Sequence, residues 1–332
     1  MKVNQWAGLL IALWAVLMLL LLNMGATAVP VWTTLSAVIS ADSLTPEQSM
    51  HWQIVSEIRL PRLLLASLVG LSLGMAGAAM QGLLRNPLAE PGIMGVSSGA
   101  ALLAVLVLYF GLVGWHSALL PLSAVVGSGL GLLLVMLIAG RAASVTTLIL
   151  AGVACSALFS GAIALALSLA PNPFAMQEMS FWLMGSVAHR DLNQVLMVLP
   201  FIVAGLLLLW WGGRYLQVLT LGEDTASSMG FDPTRQRLGL LTGVALLTGA
   251  SVAVAGVVGF VGLMVPHMVR PLVKQNPRHL LLISALAGAV FVLLIDALAQ
   301  WLSPGPELKI GVLMSLLGGP FFLVLLLRRR YV

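Results

Sequence analysis

Ten apolar runs, bounded by charges or by Pro and Gly clusters, divide the chain. They lie near residues 6–26, 60–82, 95–114, 118–139 and 147–170, then 195–211, 238–258, 259–269, 279–301 and 308–327. A membrane-spanning helix needs about 20 mostly apolar residues. The pattern therefore predicts an all-α polytopic membrane protein of about ten transmembrane helices. One stretch departs from it: from 238 to 269 no ionisable residue occurs except His267, too long for one span and too short for two. Gly256, Gly259, Gly262 and Pro266 are the candidates to break it. Irregular backbone at membrane depth is tolerated only where protein or a water-filled cavity covers it, so a broken helix beside a pathway is expected here.

An internal repeat accompanies the pattern. A shift of 179 residues places Gly70, Ser72, Ala76, Gly77, Leu84 and Pro87 on Gly249, Ser251, Ala255, Gly256, Leu263 and Pro266. Five crossings separate the copies, so they run in opposite senses, the inverted-repeat plan of many transporters. Small residues let helix backbones approach closely, and GxxxG pairs at Gly70/Gly74, Gly95/Gly99, Gly127/Gly131 and Gly239/Gly243 predict tight packing. The expected organisation is a single transmembrane domain over 1–332. Its approximate halves are 1–190 and 191–332, and its longest polar loop lies at about 214–237.

Composition narrows the function. Of 332 residues 60% are hydrophobic and 8% charged, against about 25% charged in a soluble domain, which excludes a soluble enzyme. The net charge of +5 does not indicate nucleic acid, because the basic residues are scattered between apolar blocks. With the N-terminus in the cytoplasm, Lys2, Arg85, Arg141, Arg214, Arg235, Arg237, Arg270, Lys274, Arg278, Arg328, Arg329 and Arg330 face inward, twelve of sixteen. Only Arg59, Arg62, Arg190 and Lys309 face outward. The positive-inside rule supports this orientation, with both termini cytoplasmic. Lys2 followed by Ala26 and Ala28 has the outline of a secretory signal, but the apolar stretch from Trp6 to Leu22 is longer than a signal core, so a retained first helix is expected.

Candidate chemistry is sparse. Asp296 is the one acid well inside an apolar block, which argues against proton or sodium coupling, since ion sites in membranes are built from such residues. A P-loop needs Gly-Lys followed by Ser or Thr. Lys2, Lys274 and Lys309 all lack the preceding Gly, so the chain is no NTPase and no catalytic residue is assigned. Cys155 lies among apolar neighbours as a core thiol. His51, His116, His189, His267 and His279 have no helical ligand spacing, so no metal site is assigned; His267, beside Pro266, is read as satisfying backbone freed at the helix break. Trp182 and Met176, Met179 and Met184 are read as packing. In the polar loop, Thr220 or Gly222 caps a short helix with Glu223 and Asp224 in its favourable first turn, Gly230 ends it, and Pro233 opens a second. Two short helices of this kind make a docking knob. On the outer side Arg59 and Arg62 offer guanidinium forks suited to carboxylates of a soluble partner.

In this order, these features resemble the FecCD family, the permeases of type II ABC importers for iron-siderophore complexes, haem and cobalamin. The resemblance rests on Arg59-Leu60-Pro61-Arg62, on Met80-Gln81-Gly82 running into Arg85-Asn86-Pro87-Leu88-Ala89-Glu90-Pro91-Gly92, and on Gly95-Val96-Ser97-Ser98-Gly99-Ala100. Further matches are Leu150-Ala151-Gly152-Val153, Phe181-Trp182-Leu183-Met184-Gly185, the 221–230 loop, Gly259-Phe260-Val261-Gly262-Leu263 with Pro266-His267, and Gly311-Val312. It implies a type II ABC importer permease fold in the bacterial inner membrane and a second permease subunit, identical or paralogous. It also implies two cytoplasmic ATPase subunits carrying ATP and Mg, and a periplasmic substrate-binding protein; this chain itself binds no cofactor.

Carried over by motif, Arg59 and Arg62 dock the binding protein. The loop residues Gly222, Glu223, Asp224, Ala226 and Gly230 couple to the ATPase. Val145 and Thr146 match the cytoplasmic gate, although Val145 is more apolar than the family pattern, and Gln81, Asn86 and Pro87 fall on the pathway. Gln300 stands where the cobalamin-type pattern has a docking arginine, and Lys309 in Glu307-Leu308-Lys309-Ile310-Gly311 replaces a proline and offers an outer positive charge in its place. The expected cargo is an iron complex, a ferric siderophore or haem. The alternatives are cobalamin, or an ion-coupled secondary carrier that works without an ATPase.

Overall fold

The computed structural model describes residues 3–25, 27, 29–39, 45–140, 144–303 and 307–329, and among them no strand occurs. Lys2, Ala26, Ala28, Arg141 and Arg330, used above for orientation and the signal reading, lie outside the described residues, as do the side chains of Arg328 and Arg329. The helices in chain order are α1 (Val3–Leu21), α2 (Val31–Ile39), α3 (Pro46–Gln53), α4 (Leu60–Leu83), α5 (Val96–Tyr109), α6 (Leu119–Ala139) and α7 (Val145–Ser168). They continue as α8 (Pro173–Leu183), α9 (Leu192–Leu219), α10 (Glu223–Ser228), α11 (Pro233–Ala255), α12 (Val261–Val269), α13 (Pro277–Leu302) and α14 (Ile310–Arg329). Seven helical segments are long and apolar enough to cross a membrane, and three shorter apolar helices accompany them. Each of the ten apolar runs holds one of these ten helices. The short α2, α3 and α8 are additional; they are too short or too polar to register as apolar runs.

α3 and α4 form one continuous helix of 38 residues, joined by a π-helical turn at Ile54–Arg59. A capping box opens it: the Thr45 hydroxyl accepts from Gln48 N and the Gln48 side chain accepts from Thr45 N. α4 is the central element, packed on α13, α11, α12 and α9. Its contact with α13 is backbone against backbone: a Cβ on Gly70 would lie 2.1 Å from the Gly288 carbonyl oxygen, and one on Gly74 2.2 Å from that of Ser284. α5 and α6 meet in the same way through Gly99 and Gly127. Gly243 packs under Leu209, but Gly239 faces open space. Three of the four GxxxG pairs are therefore used as predicted, and the fourth contributes one glycine. α1 lies at the rim with only Met18 and Leu21 buried, tied in where Trp14 Nε1 donates to Ser67 Oγ at 2.9 Å.

The 238–269 stretch breaks as expected, between Ala255 and Val261. Of the four candidates only Gly256 (φ 67°) and Gly259 lie in the break; Gly262 and Pro266 fall inside α12, Pro266 as the sixth of its nine residues. Phe260, with φ 66°, also adopts the left-handed conformation, which costs a side chain energy unless the surroundings enforce it. The repeat register is correspondingly imperfect. Gly77, the counterpart of Gly256, sits inside unbroken α4, where its Cβ position is 2.0 Å from the Gly262 carbonyl oxygen. The predicted second short helix after Gly230 does not form. Asp232 accepts from Thr234 N and Arg235 N, and Pro233 then opens the long α11 instead.

Candidate functional sites

Charged residues gather at two ends of the bundle. At the first end, Arg62 on α4 grips Asp296 on α13 with a fork: Nε to Oδ2 is 2.9 Å and Nη2 to Oδ1 is 2.8 Å. Arg62 Nη2 also donates to Glu307 Oε1 at 3.1 Å. Asp296 is 0% exposed and takes a further hydrogen bond from Gln300 Nε2 at 2.9 Å. Glu307 accepts from Lys309 Nζ and from Ser186 Oγ. Gln300, noted for the absence of an arginine, is thus part of this network, and the Lys309 charge is matched by Glu307. Burial holds the Arg190 guanidinium below its ordinary value, opposed by the charges of Asp191 and Glu307. Arg59 does not point outward: it is 7% exposed, and its guanidinium donates to the carbonyls of Leu22 and Thr27, fastening the chain that follows α1.

At the second end, Gly222 (φ 116°) starts α10 and Gly230 (φ 86°) ends it. Thr220 is the C-cap of α9 rather than an N-cap. Glu223 and Asp224 occupy the first turn, where the helix dipole favours acids. Ala226 is fully buried and anchors the helix to the bundle. Glu223 accepts from Arg237 Nη2 at 3.0 Å, pinning α10 to α11. A cavity of about 770 Å³ lies between α10 and the start of α7, lined by Arg85, Ser144, Val145, Glu223, Asp224 and Arg237 among others. The structure thereby brings Val145 beside α10, with exposed Thr146 next to it. Ser144 caps α7, accepting from Thr147 N.

Between the ends, the motif stretches converge at two junctions. In one, Gly185 after α8, Gly256 at the break and Gly311 at the start of α14 meet backbone to backbone: Ser186 N donates to Ala255 O at 2.8 Å, and a Cβ on Gly311 would lie 2.3 Å from the Met184 carbonyl oxygen. A cavity of about 390 Å³ opens beside it, lined by Leu183, Met184, Val257, Gly259, Gly311, Val312, Ser315 and Leu316 and free of charge. In the other, Glu90 accepts from Phe260 N at 2.9 Å, and Gly92 O accepts from Ser156 Oγ. Burial pushes the Glu90 carboxyl above its usual range, opposed by that backbone hydrogen bond.

Glu90 therefore serves the broken helix. His267 lies past the break with its ring edge-on to Phe321, centroids 5.8 Å apart. In the sequence Glu90 falls between apolar blocks, and its only signal is its position inside the Asn86-Pro87-Leu88-Ala89-Glu90-Pro91-Gly92 stretch. Gln81 is buried and donates to the carbonyls of Gly262 and Leu263 while accepting from Arg270, so it ties α4 to α12. Asn86 Oδ1 accepts from Leu88 N within its own turn. Met179 is fully buried, whereas Met176 and Met184 are exposed. Among the described residues no three His, Cys, Asp or Glu side chains assemble a metal site.

A bundle with a broken helix, an apolar cavity at the break and a short polar helix at one end has the layout of a transport permease, and comparison with known proteins agrees. The model of the FecCD transport family matches residues 12–328. The hemin transport system permease protein of Yersinia pestis is 39% identical over 335 residues, covering 97% of this chain and 95% of that protein. The vitamin B12 import system permease protein of Vibrio cholerae is 40% identical over 282 residues, 84% of each chain. An inward-facing metal-chelate type ABC transporter superposes with a TM-score of 0.86 at 30% identity, covering 98% of this chain and 99% of that one. The chain belongs to the FecCD transport family. It is a multi-pass membrane protein with the fold of an ABC-importer permease subunit.

Proposed function

We propose that this chain is the transmembrane half of an inner-membrane ABC importer that passes an iron complex, a ferric siderophore or haem, from a periplasmic binding protein to the cytoplasm. ATP and Mg act on two separate cytoplasmic ATPase subunits, and a second permease subunit completes the pathway. The observation that carries this reading is α10: a short acidic-fronted helix, buried through Ala226 and exposed through Asp224, held at the mouth of a cavity that reaches Val145. In this reading α10 receives the movement of the ATPase and passes it to the gate at Val145 and Thr146. The Arg214 and Arg237 end faces the cytoplasm, with both termini, as the excess of basic residues there supports.

Docking of the binding protein then falls to the opposite end, through Arg62 and Lys309. Both are engaged with Asp296 and Glu307 in the isolated chain, so an incoming carboxylate must share or displace these partners. Arg59 holds that surface from below. The 39% identity to a hemin permease over nearly the whole chain supports the iron-complex reading. Cobalamin is the second reading, supported by the 40% identity to a B12 permease. The test is gentle extraction of the tagged chain, followed by mass spectrometry of what stays bound and uptake assays with haem, a ferric hydroxamate and cobalamin. An ATPase recovered at one copy per permease, with uptake of an iron complex, supports the proposal. Recovery of this chain alone across several mild detergents overturns it.

A further inference from the structure

Two arginines at the α10 end belong neither to the coupling helix nor to any ion pair. Arg214 near the end of α9 and Arg278 in the first turn of α13 line a groove of about 420 Å³ together with Trp210 and Trp211. The ion pairs among the described residues engage Arg62, Arg235, Arg237 and Lys309, not these two. Arg278 is held in place. Its guanidinium carbon lies 5.2 Å from the centre of the Trp210 ring, and its Cγ is 3.1 Å from where a Cβ on Gly213 would be, so the glycine admits it against α9. Asn276 Oδ1, in turn, accepts from Arg278 N.

Trp211 is 73% exposed. Running away from it along α9, Leu196, Leu199, Val203 and Leu207 are all exposed, and their spacing of three and four residues puts them on one face in line with Trp210 and Arg214. An apolar track thus ends in two tryptophans and two guanidinium groups without a carboxylate counter-ion among the described residues.

We propose that this groove binds the phosphate headgroup of an anionic phospholipid, with its acyl chains along the α9 track. Tryptophans settle at the membrane–water interface, guanidinium forks match phosphate oxygens, and basic pockets between membrane helices bind anionic headgroups. The apolar track selects a lipid over free phosphate. The inference needs only the multi-pass membrane fold and stands independently of the cargo and the ATPase.

The test is native mass spectrometry of the full-length protein titrated with phosphatidylglycerol or phosphatidylcholine. Phosphatidylglycerol is expected to bind in preference. Arg214→Gln and Arg278→Gln should each weaken it about fivefold, while the double lysine variant retains most of the preference. In the assembled transporter, phosphatidylglycerol brominated on its acyl chains should quench tryptophan fluorescence, and Trp211→Phe should remove part of that quenching; this reading does not depend on the arginine variants folding. Equal binding of the two lipids, or unchanged binding in the double Arg→Gln variant, overturns the proposal. Displacement of the lipid by millimolar inorganic phosphate identifies a free-phosphate site and overturns the lipid assignment. Absence of Trp211 quenching in the assembly identifies a second protein subunit on this face and does the same.

Discussion

The two polar ends of this molecule manage charge in opposite ways. At the Arg62 end, Asp296 is fully buried and it and Glu307 are engaged by Arg62, Gln300, Lys309 and Ser186, so acids and bases are spent on one another. At the Glu223 end the ion pair of Glu223 with Arg237 crosses between elements, while Arg214 and Arg278 line an open groove and Asp224 faces a cavity. A buried charge without a partner costs several kcal/mol, whereas an exposed pair contributes ~1 kcal/mol or less. The first end is therefore a structural lock whose charges become available to a partner only by exchange. At the second, the charges are less buried and stabilise the fold little, which suits the contact role proposed for it.

The largest expected effect breaks the open end. Glu223→Arg with Asp224→Arg puts positive charge on the first turn of α10 and removes the tie to Arg237. Transport should be abolished while the protein still inserts at a normal level, measured as uptake against the amount in the membrane; normal uptake would take the coupling role away from α10. Next comes the lock. Asp296→Asn breaks the fork to Arg62, leaving Glu307 as its acidic partner, and should destabilise the folded protein by about 1–3 kcal/mol, read as a lowered melting temperature in detergent. Arg62→Gln should cost less in that background than in the wild type, because the fork is already broken; strictly additive losses would mean that the pair is not coupled.

A smaller effect is expected at the break. The Glu90 carboxyl is raised in the folded state, so the folded protein holds its proton more tightly than the unfolded chain does. Stability is then full below the unfolded carboxylate value of about 4.3 and falls as pH rises from there through the folded value. Glu90→Gln retains an acceptor for Phe260 N without the ionisation and should flatten that pH dependence. Glu90→Ala, which strips the acceptor, should cost about 1–3 kcal/mol. A wild-type pH profile already flat above pH 4 would refute the assignment. The smallest effect is at Lys309, whose pair with Glu307 is partly exposed: Lys309→Ala should change stability by less than ~1 kcal/mol yet weaken binding-protein affinity measured in detergent, and unaltered affinity removes Lys309 from docking.

Much of this was legible in the sequence because it is local. Apolar runs of span length, a stretch from 238 to 269 that had to break, glycines at four-residue spacing and an acid pair after Gly222 are properties of short segments. What misled was geometry that a segment does not contain. Arg59 and Arg62 are three residues apart and read alike, yet one turns to carbonyls after α1 and the other to a carboxylate 234 positions away. Pro233 gives the same helix-opening signal in a short helix as in a long span, so the sequence is equally consistent with a second knob helix; the structure has Asp232 capping the long α11.

By itself, then, the sequence determined that the chain is a multi-pass helical bundle with little charge inside its apolar runs, since hydropathy and helical period depend on neighbours a few residues away and on the bilayer as solvent. The tertiary structure alone decided which charges cancel, that Glu90 caps the break at Phe260, that Gly239 packs against nothing, and that Trp210, Trp211, Arg214 and Arg278 share one groove. Those facts are distances between side chains on different helices. They are set by how the helices pack, and no run of neighbouring residues encodes them.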